Sequence, residues 1–155
     1  MPAINWTNQL SVGVHAIDTD HKLLVSLINQ LNDAIEDGLG EETVGSVLNA
    51  LCDYTLYHFG REEALMAACG YPDAEDHRKI HEQITTKVMD IRDGFLAGKD
   101  IVHGEDMLEL MTNWLTDHIV GRDKLYQPFM DGKQDEIERA NRAFVEKLSA
   151  DADQE

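Results

Sequence analysis

Five histidines and two carboxylates, each set where a helix must face inward, constrain this chain more than any other feature. They are His21, His58 with Glu62, His77 with His81, and His118 with Asp123. The pairs His58–Glu62 and His77–His81 are four residues apart, which leaves them about 40° apart around a helix axis. Both members of each pair therefore leave from one face.

Four helical segments follow from the spacing of apolar residues. The first stripe runs His21, Leu24, Ile28, Leu31 and Ile35, in steps of three and four. Asp18 or Thr19 is its expected N-cap, and Gly38 and Gly40 its end. The second stripe is Val44, Leu48, Leu51, Thr55, His58, Glu62 and Leu65, stopping near Gly70-Tyr-Pro72. A third helix is expected from Asp73, with Asp76 in its first turn, and carries His77, His81, Ile84, Val88, Ile91 and Phe95. The fourth, from about Gly104, carries Met107, Met111, Trp114 and His118. His118 and Asp123 are five apart, about 140° on an undistorted helix, so a shared site requires the helix to break or widen near Gly121. The run from Asp123 to Pro128 then resumes as a short helical turn.

Composition agrees with an all-α reading: 155 residues suffice for one domain with a real core, and three prolines leave long uninterrupted segments. We divide the chain into residues 1–132, an up-down-up-down antiparallel four-helix bundle with an N-terminal loop, and residues 133–155, an extra C-terminal amphipathic helix and acidic tail. In that helix Ile137, Asn141, Phe144, Val145 and Leu148 form a narrow stripe. It either lies back on the bundle or serves self-association or a partner protein, and Ala150 to Glu155 are expected to be disordered.

The formal charge of −17 disfavours a nucleic-acid or anionic-membrane partner. No apolar run approaches the ~20 residues of a membrane span, and Met1-Pro-Ala-Ile-Asn-Trp6 is unlike a secretory signal, so a soluble, cytoplasmic protein is expected. Cys52 and Cys69 form no Cys-x-x-Cys pair and read as small apolar fillers.

A histidine or carboxylate on a core-facing stripe must find a partner or cost several kcal/mol when ionised. Mutual hydrogen bonding among five imidazoles leaves too few acceptors, so bound metal is the better account. Imidazole and carboxylate without thiolate suit iron, zinc, copper or nickel. Seven ligands are too many for one ion and suit two. With Glu62 and Asp123 each bridging, the protein fills nine of the twelve positions of two octahedral ions; a shared solvent oxygen takes two more and one stays open. One open position on a redox-active pair suits a diatomic ligand.

These residues resemble the hemerythrin family, in its bacterial branch, the bacteriohemerythrins. Surrounding words carry the resemblance too: Trp6, Val12-Gly-Val14 before Ile17-Asp18, Glu62-Glu63 with Leu65-Met66, Gly70-Tyr-Pro72, Trp114-Leu115 before His118-Ile119, and Asp123-Lys124 with Tyr126. It covers residues 4 to 130. The resemblance implies a non-haem di-iron centre that binds dioxygen reversibly, for oxygen storage, transport or delivery. By analogy His77, His81 and His118 saturate one iron (Fe2+/Fe3+), His21 and His58 hold the other, which keeps the vacancy, and Glu62, Asp123 and a solvent-derived oxygen bridge them.

Leu24, Thr55, Ile84, Met111 and Trp114 lie about one turn from these residues and are the expected oxygen-pocket wall. Asp20 stands where many relatives carry glutamine. His15, placed in the N-terminal loop, and His103 are expected to be surface histidines, and Glu63 a solvated or salt-bridged residue more than a partner of the site. Competing functions are an oxygen, nitric oxide or iron sensor and a di-iron peroxidase-type enzyme. The chain holds no Glu-x-x-His pair of the ferritin-like enzymes, so it is read as no enzyme, beyond a weak peroxidase-like side activity.

Overall fold

The computed structural model describes residues 3–98 and 101–153, and among them every regular element is helical. Helix α1 spans His15–Glu36, α2 Glu41–Ala68, α3 Ala74–Gly98, and α4 Ile101–Gly121. Short connections turn the chain back after α1 and α2. Each helix packs against its chain neighbours and α1 closes against α4, giving the up-down-up-down bundle. A 3₁₀ turn at Asp123–Tyr126 and a single helical turn, α5, at Gln127–Met130 follow, then α6 at Gln134–Asp153. No helix among the described residues is long and apolar enough to cross a membrane.

The stripes read from sequence are the faces that meet. Leu24, Ile28, Leu31, Val44, Leu48, Leu51, Leu65, Val88, Met107 and Met111 are all buried. Each fully buried large side chain contributes about 1.5–3 kcal/mol. The two tight reversals use the same device. After α1, the Gly38 amide donates to the Ile35 carbonyl and the Leu39 amide to that of Ala34, with Gly38 at φ 64°. After α2, Gly70 donates to Ala67 and Tyr71 to Met66, with Gly70 at φ 69°. Both are glycine-centred C-terminal caps, in which the left-handed residue lets otherwise free helix carbonyls find donors.

Several boundaries differ from expectation. Helix α1 begins at His15, after an extended Val14, so neither Asp18 nor Thr19 is its N-cap and His15 is an exposed helical residue. The Asp18 carboxylate is spent on the preceding loop: it accepts from the Val12 amide at 2.9 Å and the Ser11 hydroxyl at 2.6 Å. Helix α4 starts before Gly104, which is buried within it; a Cβ there would stand 3.1 Å from Val44. His103 is half-buried rather than on the surface, its ring packed over Gly94 and its Nδ1 enclosed without a hydrogen-bond partner. Helix α6 packs back on α2 and runs through Ala150 to Asp153, where disorder was expected; residues 154–155 lie outside the described residues.

Candidate metal centre

All seven sequence-predicted residues converge in the bundle interior, none more than about 5% exposed. Four helices deliver six of them: α1 brings His21, α2 His58 and Glu62, α3 His77 and His81, and α4 His118. Asp123 arrives by the departure its spacing demands. Helix α4 ends at Gly121, Arg122 leaves helical geometry at φ −124° and ψ −51°, and the chain tightens into the 3₁₀ turn. The break is thus a tightening rather than a π-type widening. It swings Asp123 to the His118 face, where its Oδ1 stands 3.0 Å from His118 Nε2.

The donor atoms form two groups: Glu62, His77, His81, His118 and Asp123 in one, and His21, His58, Glu62 and Asp123 in the other. Each carboxylate divides its oxygens between them. Glu62 Oε1 faces His77 at 2.9 Å and His81 at 3.1 Å, while Oε2 faces His58 at 3.1 Å and His21 at 3.6 Å. Asp123 Oδ1 faces His77 and His118, both at 3.0 Å, while Oδ2 faces His21 at 3.2 Å.

These distances suit groups that could share a cation. His118 Nε2 lies 3.1 Å from His77 Nε2 and 3.2 Å from His81 Nε2. An octahedral ion with bonds of about 2.1 Å places neighbouring donors about 3 Å apart. Despite such proximity, His21 Nε2 and both Asp123 oxygens have no aligned hydrogen bond, as expected of atoms aimed at a common centre rather than at one another.

Electrostatics point the same way. Burial opposes charge on Glu62, but the charge of His58 and the imidazoles of His21, His58 and His77 hold its carboxyl well below the ordinary range. Burial and the neighbouring Glu62 raise Asp123, and the closeness of His118, His21 and His77 outweighs both. Burial would lower His21 and His77, yet Asp123 and Glu62 push each up to about 9. The cluster favours positive charge beside its two carboxylates.

Apart from Trp114, sequence reasoning missed a surrounding layer. Asp20 is buried and accepts from Tyr54 Oη at 2.6 Å and Arg61 Nε at 2.8 Å, and its Oδ2 stands 3.0 Å from His58 Nδ1. Burial alone would raise its pKa, but these partners hold it low. An ionised carboxylate only accepts, so Asp20 takes the Nδ1–H of His58 and leaves Nε2 as the nitrogen that would meet a metal. Glu63 does the same for His81, 3.2 Å from its Nδ1: of the solvated or salt-bridged roles expected of it, it takes an ion-paired one, and that pair is with the site. Tyr126 is wholly buried and donates to Glu62 Oε2 at 3.0 Å. Phe59 stacks on His81 with centroids 3.9 Å apart, and Trp114 on His118 at 4.3 Å. The available signal was adjacency: Asp20 and Glu63 each neighbour a predicted ligand in the chain.

Comparison with known proteins agrees with this geometry. Residues 12–130 match the model of the hemerythrin HHE cation binding domain. The chain belongs to the hemerythrin family. It is 38% identical over 126 residues to the bacteriohemerythrin of Pseudomonas aeruginosa (strain LESB58), covering 81% of this chain and 80% of that one. Against the bacteriohemerythrin of Methylococcus capsulatus (strain Bath) the identity is 33%, over 83% of this chain and 97% of the relative. The crystal structure of a wild-type hemerythrin superposes with a TM-score of 0.77 at 32% identity, covering 83% of this chain and 98% of the other.

Proposed function

We propose that this hemerythrin-family chain binds dioxygen reversibly at a pair of irons, for oxygen storage, transport or delivery. The family's general character, that of oxygen-binding di-iron proteins, favours this reading. The observation that carries it is the division of Glu62 and Asp123, one oxygen of each toward the three-histidine group and the other toward His21 and His58. Two bridging carboxylates between unequal histidine sets suit two ions of unequal saturation. Three imidazoles, His77, His81 and His118, would hold one ion; His21 and His58 would hold the other and leave it a place for a small ligand. Bound iron supplies the electrons that dioxygen takes up and returns.

The chain's own residues orient and protect. Asp20 and Glu63 fix the ring nitrogens of His58 and His81, and Tyr126 holds Glu62 through a phenol whose pKa burial and the adjacent carboxylates keep well above the usual value. Leu24, Thr55, Ile84, Met111 and Trp114 are proposed as the wall that excludes water. Their placement supports this: Leu24, Thr55 and Met111 are wholly buried, and Ile84 nearly so. The Thr55 hydroxyl is satisfied within its own helix, donating to the Leu51 carbonyl at 2.7 Å. Trp114, half-buried on His118, guards the three-histidine side.

Adding oxygen to the anaerobic ferrous protein, with iron counted and the visible spectrum recorded, tests the reading. A colour change that appears with oxygen and disappears on its removal, at two irons per chain, is expected. Irreversible bleaching accompanied by substrate turnover would favour a peroxidase-type enzyme.

A further inference from the structure

The C-terminal helix lies beyond the residues that the family model spans, which end at 130, yet one arginine joins it to the metal centre. Arg61 sits on α2 between His58 and Glu62 in the chain and is buried. At one end its Nε donates to Asp20 Oδ2 at 2.8 Å, the same oxygen that stands 3.0 Å from His58 Nδ1. At the other end it is held by α6. Its Nη1 donates to Asn141 Oδ1, and its guanidinium lies 5.5 Å from the Phe144 ring centroid. Tyr57, which accepts from Nη2, also packs against Phe144, with centroids 5.4 Å apart.

Phe144 reaches this position because residue 60 is glycine: a Cβ there would stand 3.0 Å from the Phe144 ring. Two α6 side chains therefore seat the arginine from outside, while inside it shares an acceptor with a ligand histidine. A carboxylate on the distal nitrogen of such a histidine fixes its tautomer and ring orientation and raises its donor strength. Arg61 competes for that same oxygen, so its seating sets how much of the carboxylate His58 receives.

We propose that α6 is a lever on the two-histidine end of the metal centre: Asn141 and Phe144 position Arg61, Arg61 positions Asp20, and Asp20 sets His58. This rests on the di-iron reading above. Seating of α6 and ligand affinity at that iron are then thermodynamically linked, each favouring the other's bound state by the same factor.

The test uses full-length protein loaded with iron, with azide as the probe of the open ferric position and a chelator to time iron release. Asn141→Leu removes the acceptor at nearly constant volume; Phe144→Ala removes the ring; Val145→Ala, on an exposed position of α6, is the control. We expect the first two to keep two irons per chain while azide affinity and the release rate of the first iron shift about tenfold, as loss of an outer hydrogen-bond partner typically does. The control stays at wild type. Asn141→Leu adds nothing further in an Asp20→Asn background, since both act through one chain of contacts. Wild-type azide affinity and release rate in Asn141→Leu, or additivity with Asp20→Asn, would overturn the lever. If Phe144→Ala does not fold, Asn141→Leu decides alone. A wild-type chain holding fewer than two irons would instead remove the di-iron reading, and the coupling of Asn141→Leu with Asp20→Asn in thermal unfolding then decides whether α6 reaches Asp20.

Discussion

Leu24 is fully buried one helical turn beyond His21, and the pocket wall proposed above gives it the task of keeping water out. Leu24→Ser in the loaded protein is expected to speed autoxidation several-fold with two irons retained, measured as decay of the oxygenated spectrum; an unchanged rate would remove Leu24 from the pocket wall. Cys52 shows the opposite use of burial. Wholly enclosed, its thiol is pushed up to about 11 by desolvation, against an ordinary value of 9.0. Because the folded value is the higher one, the neutral thiol favours the fold fully below pH 9 and this contribution is lost as pH rises through 11. Iodoacetamide at pH 8.5 should therefore label Cys52 only on unfolding. Rapid labelling of the native protein would contradict its enclosure.

The elements meet the site through their ends as much as their faces. Helix α4 must stop for Asp123 to join His118, and spacing alone pointed to Gly121 as the cause. The geometry departs at Arg122 instead; Gly121 has no left-handed backbone, and a Cβ on it would meet nothing within 4 Å. Gly121→Ala is therefore expected to be neutral or to stabilise by up to about 1 kcal/mol, with metal content unchanged. Gly70→Ala, at φ 69°, should cost about 1–2 kcal/mol, because only glycine takes that conformation freely. Chemical denaturation of both variants checks the contrast, and equal losses would mean that the break does depend on Gly121.

For the whole molecule, the seven inward groups, six from the four bundle helices and Asp123 from the turn after α4, form a buried cluster that could hold metal. Two ions, each bound at about 100 times its dissociation constant, would stabilise the chain by about 5 kcal/mol in total. Chelation is accordingly expected to lower the melting temperature by about 10–20 °C in calorimetry. A melting temperature indifferent to chelator would mean that the native state holds no ion.

The sequence by itself determined the helices, their inward faces and the six site residues those faces carry, because all of these follow from a local period of about 3.6 that any helix must obey; Asp123, five residues past His118, was legible only as a break in that period. His58–Glu62 and His77–His81 share faces whatever surrounds them. Gly38 and Gly70 marked true ends because cap geometry is local too. Only the tertiary structure decided which oxygen of Glu62 and Asp123 faces which histidines, that the α4 break tightens rather than widens, and that Asp20 belongs to His58. Asp20 and His58 are 38 residues apart, Asp20 and Arg61 41, and Arg61 and Asn141 80. No pattern along the chain encodes such pairs: they arise when whole helices pack and each buried polar group must take whichever partner the packing brings within reach.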